Sequence, residues 1–196
     1  MKTNQKSDYE LVREFVSGSQ VSLEVLIHRH RKRIYTYIIL LVKDQHLAED
    51  IFQETFYKVI RSLKDGKYRD NGKFISWVLR IAHNLIIDHF RKGRQLNTYS
   101  NDDYESDIFN LKKLSDKTIE QNMVENQIAK DIRRLIQELP DDQREVVVLR
   151  HYCGLSFKEI ADHTNVSINT ALGRMRYALI NLRKLIKERN LSLTEI

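Results

Sequence analysis

Between Leu47 and Leu63, apolar or small side chains return largely as adjacent pairs every four positions: Leu47 and Ala48, Ile51 and Phe52, Thr55 and Phe56, Val59 and Ile60, then Leu63. A strand alternates its side chains with a period of two and cannot sort this pattern to one side. A helix of 3.6 residues per turn gathers it on a single face. The segment therefore predicts a helix with one face almost wholly buried. Its opposite face carries Glu49, Asp50, Gln53, Glu54, Tyr57, Lys58 and Arg61, and it begins acidic, as the N-terminal end of a helix prefers. The same spacing of three and four links Leu11, Phe15, Leu23, Leu26 and Ile27. With one proline, Pro140, and six glycines in 196 residues, little interrupts helix elsewhere. The fold class expected is all-α.

Length alone permits one good core or two small ones. Charge divides the chain more sharply. Lys and Arg against Asp and Glu number 18 to 11 over residues 1–95, 3 to 6 over 96–122, and 12 to 10 over 123–196. Two basic blocks thus flank an acidic connector. A phosphate-bearing partner suits such blocks, although a basic chain need not bind nucleic acid. The lone Cys153 cannot form an intramolecular disulfide, and MKTNQKSDYE lacks the apolar stretch of a secretory signal, so a cytoplasmic protein is expected. The longest apolar run, Tyr37 to Val42, is far short of the ~20 residues that span a bilayer, so no direct membrane insertion is expected. The histidines show no ligand-like pairing; His28 and His30 lie two apart in a basic tract and would point to different helix faces. No metal and no cofactor are expected.

Asp65-Gly66 and Asn71-Gly72 bracket a polar loop, DGKYRDNGK. Periodicity resumes at Phe74. A helical wheel places Phe74, Trp77, Val78, Ile81, Ala82 and Leu85 on one side, and Ser76, Arg80, His83, Asn84, Ile87 and Arg91 on the other. The acidic stretch NDDYESD, residues 101–107, reads as part of a linker over 96–120. A further helix should end at Pro140, because the residue before a proline is driven from helical geometry. Asp141 and Asp142 are suited to cap the next helix, Gln143 to Tyr152, which Gly154 should end.

Residues 157–186, FKEIADHTNVSINTALGRMRYALINLRKLI, carry the most informative pattern: two helices separated by a short polar turn. Phe157, Ile160 and Ala161 would pack the first helix, Val166 would fill the turn, and Ser167 would cap the second. Leu172, Met175, Leu179, Leu182 and Ile186 form the expected core stripe, leaving Thr170, Gly173, Arg174 and Tyr177 outward. Helix-turn-helix units lay the start of their second helix in the major groove. There Asn169 could pair with an adenine edge and Arg174 with guanine, while Ser167 and the free amides could hold phosphate. A glycine on an exposed helical face costs about 1 kcal/mol of helix stability. Close approach of the backbone to a duplex would explain Gly173.

Glu159-Ile160-Ala161, a short turn, Val166-Ser167 and a basic second helix resemble the fourth region of bacterial sigma factors. Residues 48–63, AEDIFQETFYKVIRSL, resemble the polymerase-binding helix of the second region, and residues 74–94 its promoter-melting and minus-ten-reading helix. The two motif sets stand in family order across nearly the whole chain, which is identified as a member of the extracytoplasmic-function class of the sigma-70 family. The resemblance implies region 2 over 1–95, a flexible acidic linker over 96–120, and region 4 over 121–190. It implies that Asp50, Gln53 and Glu54 dock on core RNA polymerase, with Phe56 supporting them from the core side. For minus-ten DNA the expected residues are Lys67, Tyr68 and Arg69 in the loop, and Arg80, His83, Asn84 and Arg91 on the helix; the loop also suits an ordinary solvated turn. For minus-thirty-five DNA they are Ser167, Asn169, Thr170, Arg174, Arg176 and Tyr177. Trp77 and Asp88 are assigned to structure, Asp88 orienting a cation such as Arg91. The expected partners are core RNA polymerase, promoter DNA and an anti-sigma factor.

A conventional helix-turn-helix regulator would share the C-terminal reader but needs a first domain that dimerises or binds a ligand. Residues 1–95 show no apolar dimer seam. A nuclease or recombinase needs a nucleophile or a metal site; Asp50 and Glu54 lie one turn apart without a third ligand of suitable spacing. No enzymatic activity is expected.

Overall fold

The computed structural model describes residues 6–69, 72–96 and 130–191. Among them every regular element is helical: α1 (Asp8–Val16), α2 (Gln20–Val42), α3 (Gln45–Lys64), α4 (Phe74–Leu96), α5 (residues 130–137), α6 (Asp141–Val147), α7 (Phe157–Thr164) and α8 (Ile168–Glu188). They fall into two compact units, one built around α1 to α4 and one around α5 to α8. Residues 97–120 of the expected linker, and the start of the helix expected to reach Leu139, lie outside the described residues. None of the described helices is long and apolar enough to cross a membrane.

In the first unit α1 packs on α2, and α2 on α4. Ser7 starts α1 with a capping box: its hydroxyl accepts from the Glu10 amide, and the Glu10 carboxylate accepts from the Ser7 amide at 2.7 Å. Leu11, Val12 and Phe15 are buried, as the spacing of three and four requires. A polar clamp fixes the same helix, since the Asp8 carboxylate meets Arg29 at 2.6 Å and His30 at 2.8 Å. His30, read from sequence as part of a basic tract, is only 4% exposed and lies against the Phe74 ring. Helix α3 buries Ala48, Ile51, Thr55, Phe56, Val59 and Leu63; the Thr55 hydroxyl is satisfied by the Ile51 carbonyl at 2.7 Å.

The buried stripe of α4 differs from the wheel. Phe74, Val78, Leu79, Ala82 and Ile86 are buried, whereas Trp77, Ile81 and Leu85 are only half-buried. The stripe is turned toward the Leu79, His83 and Ile86 side. This is the side that packs on α2, where the buried Tyr37 carries its hydroxyl to the His83 ring nitrogen, 3.0 Å away.

In the second unit α8 packs against α6 and α7. Asp141 and Asp142 are the first two residues of α6, not its caps; Pro140 holds the cap position with no side-chain bond. Asp141 instead pairs with the buried Arg144 at 2.8 Å, and Arg144 also donates to the Leu139 carbonyl at 2.7 Å. Helix α6 widens into one π turn, Val148–Tyr152, before Gly154 turns the chain at φ 76°. Arg150 donates to the Leu155 carbonyl at 2.9 Å and covers the Phe157 ring at 5.1 Å, which ties the π turn to the start of α7.

Ser156 and Glu159 cap α7 reciprocally. Asn165 ends it in the left-handed region at φ 54°, where asparagine is tolerated better than most residues. Three residues, Asn165 to Ser167, thus separate α7 from α8. The core stripe of α8 is Ala171, Met175 and Ala178, and the small alanines let α6 and α7 approach closely. Leu172 and Leu179, placed in the core from sequence, are 44% and 41% exposed, while Leu182 and Ile186 are half-buried. The wheel followed side-chain size, but the packing follows backbone proximity.

Candidate nucleic-acid interface

The first turn of α8 is built to present polar groups. Ser167 is its N-cap, accepting from the Thr170 amide at 3.0 Å, and the two hydroxyls lie 2.9 Å apart. Ser167, Asn169 and Thr170 are exposed, so the first turn and its free amides are open to a phosphate or a base edge. Tyr177 is 61% exposed. Arg174 is more restrained: its side chain is 24% exposed and ion-paired with Asp142 at 2.6 Å. The pair crosses a cavity of about 500 Å³ between the start of α6 and α8, lined by Pro140, Gln143, Thr170, Gly173 and Tyr177 among others. Thr170, Arg174 and Tyr177 therefore share one side of α8. Arg176 is exposed but lies two residues, or about 200°, from Arg174, nearer to Asn169. The structure thus divides the expected reader residues between two faces of α8. Asp142 was read as a cap, and no sequence pattern links it to Arg174, 32 positions away.

In the first unit Asp50, Gln53 and Glu54 project from α3 into solvent, and Glu54 lies 3.9 Å from Lys58 one turn on. Phe56 is 6% exposed, on the buried side of α3. Its ring lies 4.9 Å from Phe52, which meets Tyr35 of α2 edge-on at 5.9 Å. This aromatic chain fixes the rotation of α3 and hence the aim of its acidic face.

The loop and α4 residues differ in how each is held. Lys67 is exposed and pairs with Asp65 at 2.8 Å; that contact holds the Asp65 carboxyl below its ordinary value. Tyr68 lies tilted against Trp77, 4.5 Å between ring centroids, and meets Phe74 edge-on at 5.8 Å. Arg69 and Arg80 are exposed. Arg91 is exposed and paired with Asp88 at 3.0 Å, the orienting contact expected of Asp88. His83 is half-buried on Tyr37, turned from the polar face on which the wheel had put it.

Asn84 is exposed and joins Lys67 at a cavity of about 220 Å³ whose remaining rim includes Lys58, Arg61 and Ser62 of α3. Those three residues were not singled out from sequence for this surface. The available signal was Lys58 and Arg61, three apart on the exposed face of α3. What the sequence could not supply was the approach of α3's last turns to α4.

Comparison with known proteins adds to this geometry. Residues 26–95 match the family model described as Sigma-70 region 2, and residues 129–177 match that described as Sigma-70, region 4. The chain is 32% identical to RNA polymerase sigma factor CarQ of Myxococcus xanthus over 175 residues, spanning 89% of this chain and 94% of that protein. It is 28% identical to RNA polymerase sigma-H factor of Pseudomonas aeruginosa over 176 residues, 87% and 89% of the two chains. Its fold is similar to that of RpoE from Bartonella quintana, solved with the anti-sigma factor NepR, at a TM-score of 0.68 and 20% identity over 84% of this chain and 96% of that one. CnrH, solved with the cytosolic domain of CnrY, gives a TM-score of 0.65 and 21% identity over 93% and 99%.

Proposed function

Because the chain belongs to the sigma-70 family, in its extracytoplasmic-function class, we propose that it is a promoter-specificity subunit of RNA polymerase. It binds core polymerase and directs transcription initiation at a subset of promoters. The observation that carries this reading is the pairing of both region matches, in order, with two separate helical units in a chain that spans 94% of CarQ. The ranges 1–95, 96–120 and 121–190 are its region 2, linker and region 4.

The exposed acidic face of α3, Asp50 with Gln53 and Glu54, docks on the polymerase, and buried Phe56 sets its direction. Asn84, Arg80, Arg91 and the loop residues Lys67, Tyr68 and Arg69 serve minus-ten DNA. The half-buried His83 acts there through its bond to Tyr37 rather than as a free contact. Ser167, Asn169, Thr170, Arg174, Arg176 and Tyr177 serve the minus-thirty-five element. This assignment is supported by the open first turn of α8 and its basic, exposed sides. The chain performs no catalysis of its own and works in the cytoplasm, where an anti-sigma factor covers its polymerase-binding faces.

Two weak readers held together by polymerase bind far better than either alone, since the second contact is made at high effective concentration. Run-off transcription with core polymerase from a related bacterium, on fragments of the source genome, tests the reading. Discrete transcripts that require this chain are expected. Specific duplex binding by the free chain, with no binding to core polymerase, would instead identify a conventional regulator.

A further inference from the structure

We propose that Asp142 is a positioning residue for base readout: its carboxylate selects the rotamer in which Arg174 meets one base pair of the minus-thirty-five element. The inference rests on the assignment of α8 as the reader of that element. Its observation is the 2.6 Å ion pair between Asp142, in the first turn of α6, and Arg174, in the second turn of α8.

An arginine reads guanine through two parallel N–H donors, so the plane and direction of its guanidinium decide whether it reads at all. Left free, such a side chain samples many rotamers and must give them up on binding. Arg174 is restrained by two features: its side chain is three-quarters buried along the cavity beside α6, and its tip is fixed by Asp142. Asp142 is itself 64% exposed at the mouth of that cavity.

Exposure also decides between a guide and a lock. With its carboxylate this open to solvent, the pair is too weak to withhold the arginine from a base edge, but strong enough to choose among its rotamers. A guanidinium has five donors, so one edge can stay on the carboxylate while another faces the base. Asp141 is engaged elsewhere, with Arg144, which leaves Asp142 as the carboxylate of this turn that serves α8.

The test uses holoenzyme assembled from core polymerase and the full chain. The probe is a duplex pool randomised across the minus-thirty-five element upstream of a fixed minus-ten element, and initiated transcripts are sequenced. Arg174→Ala should erase preference at one base pair by roughly tenfold. Asp142→Asn should flatten the same base pair and leave the others unchanged, the double variant should be no worse than Arg174→Ala, and Asp142→Glu should restore part of the preference. Circular dichroism should show Asp142→Asn as folded as the parent.

An unchanged preference in Asp142→Asn, independent losses that add in the double variant, or tighter promoter binding by Asp142→Asn would each overturn the proposal; the last would mark a lock. If Arg174→Ala is silent while the holoenzyme still initiates at discrete promoters, the role of Asp142 and the assignment of Arg174 both fall, and the sigma reading stands.

Discussion

Gly173→Ala separates what the fold requires at this position from what the interface requires. Gly173 lies within α8 at an ordinary helical φ, and a Cβ built on it would meet no heavy atom within 4 Å. No turn, bulge or packed neighbour demands a glycine. In a helix interior alanine is favoured over glycine by about 1 kcal/mol, so the substitution should stabilise the α5–α8 unit by that amount. For a unit of about 60–100 residues this raises the midpoint of unfolding by roughly 4–8 °C. On the reader the sign should reverse. The residue lines the cavity beside Arg174, and a methyl forced into a close-fitting contact costs about 1–3 kcal/mol, or roughly 5- to 150-fold in affinity. Thermal unfolding by circular dichroism and competition for a minus-thirty-five duplex by holoenzyme measure the two effects on one sample. A more stable but weaker reader is expected. Destabilisation would contradict the open space around Gly173, and full promoter affinity would show that the glycine is not there for the duplex.

Asp50→Ala and Glu54→Ala, both at exposed positions, should leave the unfolding midpoint unchanged and reduce capture of core polymerase in a pull-down; a shifted midpoint with normal capture would reverse the assignment. Phe56→Ala should cost about 3–5 kcal/mol in denaturant unfolding, because it empties a buried aromatic site; a loss under 1 kcal/mol would mean the Phe52 and Tyr35 contacts do not hold α3. Ser156→Ala removes the cap of α7 and should cost about 1 kcal/mol, read from the same titration. Burial holds the His30 imidazole below its ordinary value, outweighing the Asp8 carboxylate, and its Nδ1 is buried without a hydrogen-bond partner. The unfolded chain takes up this proton more readily than the native one. Stability from His30 is therefore full above about pH 6.5 and declines as pH falls below it, levelling beneath the native value. His30→Gln should flatten the slope between about pH 7 and 5, and an unaltered slope would assign it to other groups.

The helical class was legible because apolar spacing of three and four persists through α1 to α4 and again through α7 and α8, with almost no proline to interrupt it. The Ser167 cap and the short turn before it were equally local, and the structure places Ser167 as expected, whereas the capping serines Ser7 and Ser156 were not singled out. Contacts between distant segments were not legible. The buried side of α4 follows its packing on α2, including the bond from Tyr37 to His83 made across 46 positions. In α8 the choice of Ala171 and Ala178 over Leu172 and Leu179 depends on how near α6 and α7 come, which side-chain size does not encode. His30 looked basic until α1 brought Asp8 to it. The same limit applies to the proposed reader: Ser167 and Asn169 were proposed from a motif, whereas the tie between Arg174 and Asp142 exists only after the chain has folded back.

The wide turn at Val148–Tyr152 changes how this chain can tolerate a lost residue. A π turn is an α turn with one residue added, so deleting any single residue there would restore regular helix and look harmless in isolation. The π turn closes one turn with an extra residue, so everything downstream would keep nearly the same angle about the helix axis. What would be lost is the local widening that carries Arg150 to both the Leu155 carbonyl and the Phe157 ring. The surplus residue therefore acts as local width and not as rotation: a chain one residue shorter here would keep its direction and lose the tie between the end of this helix and the start of α7.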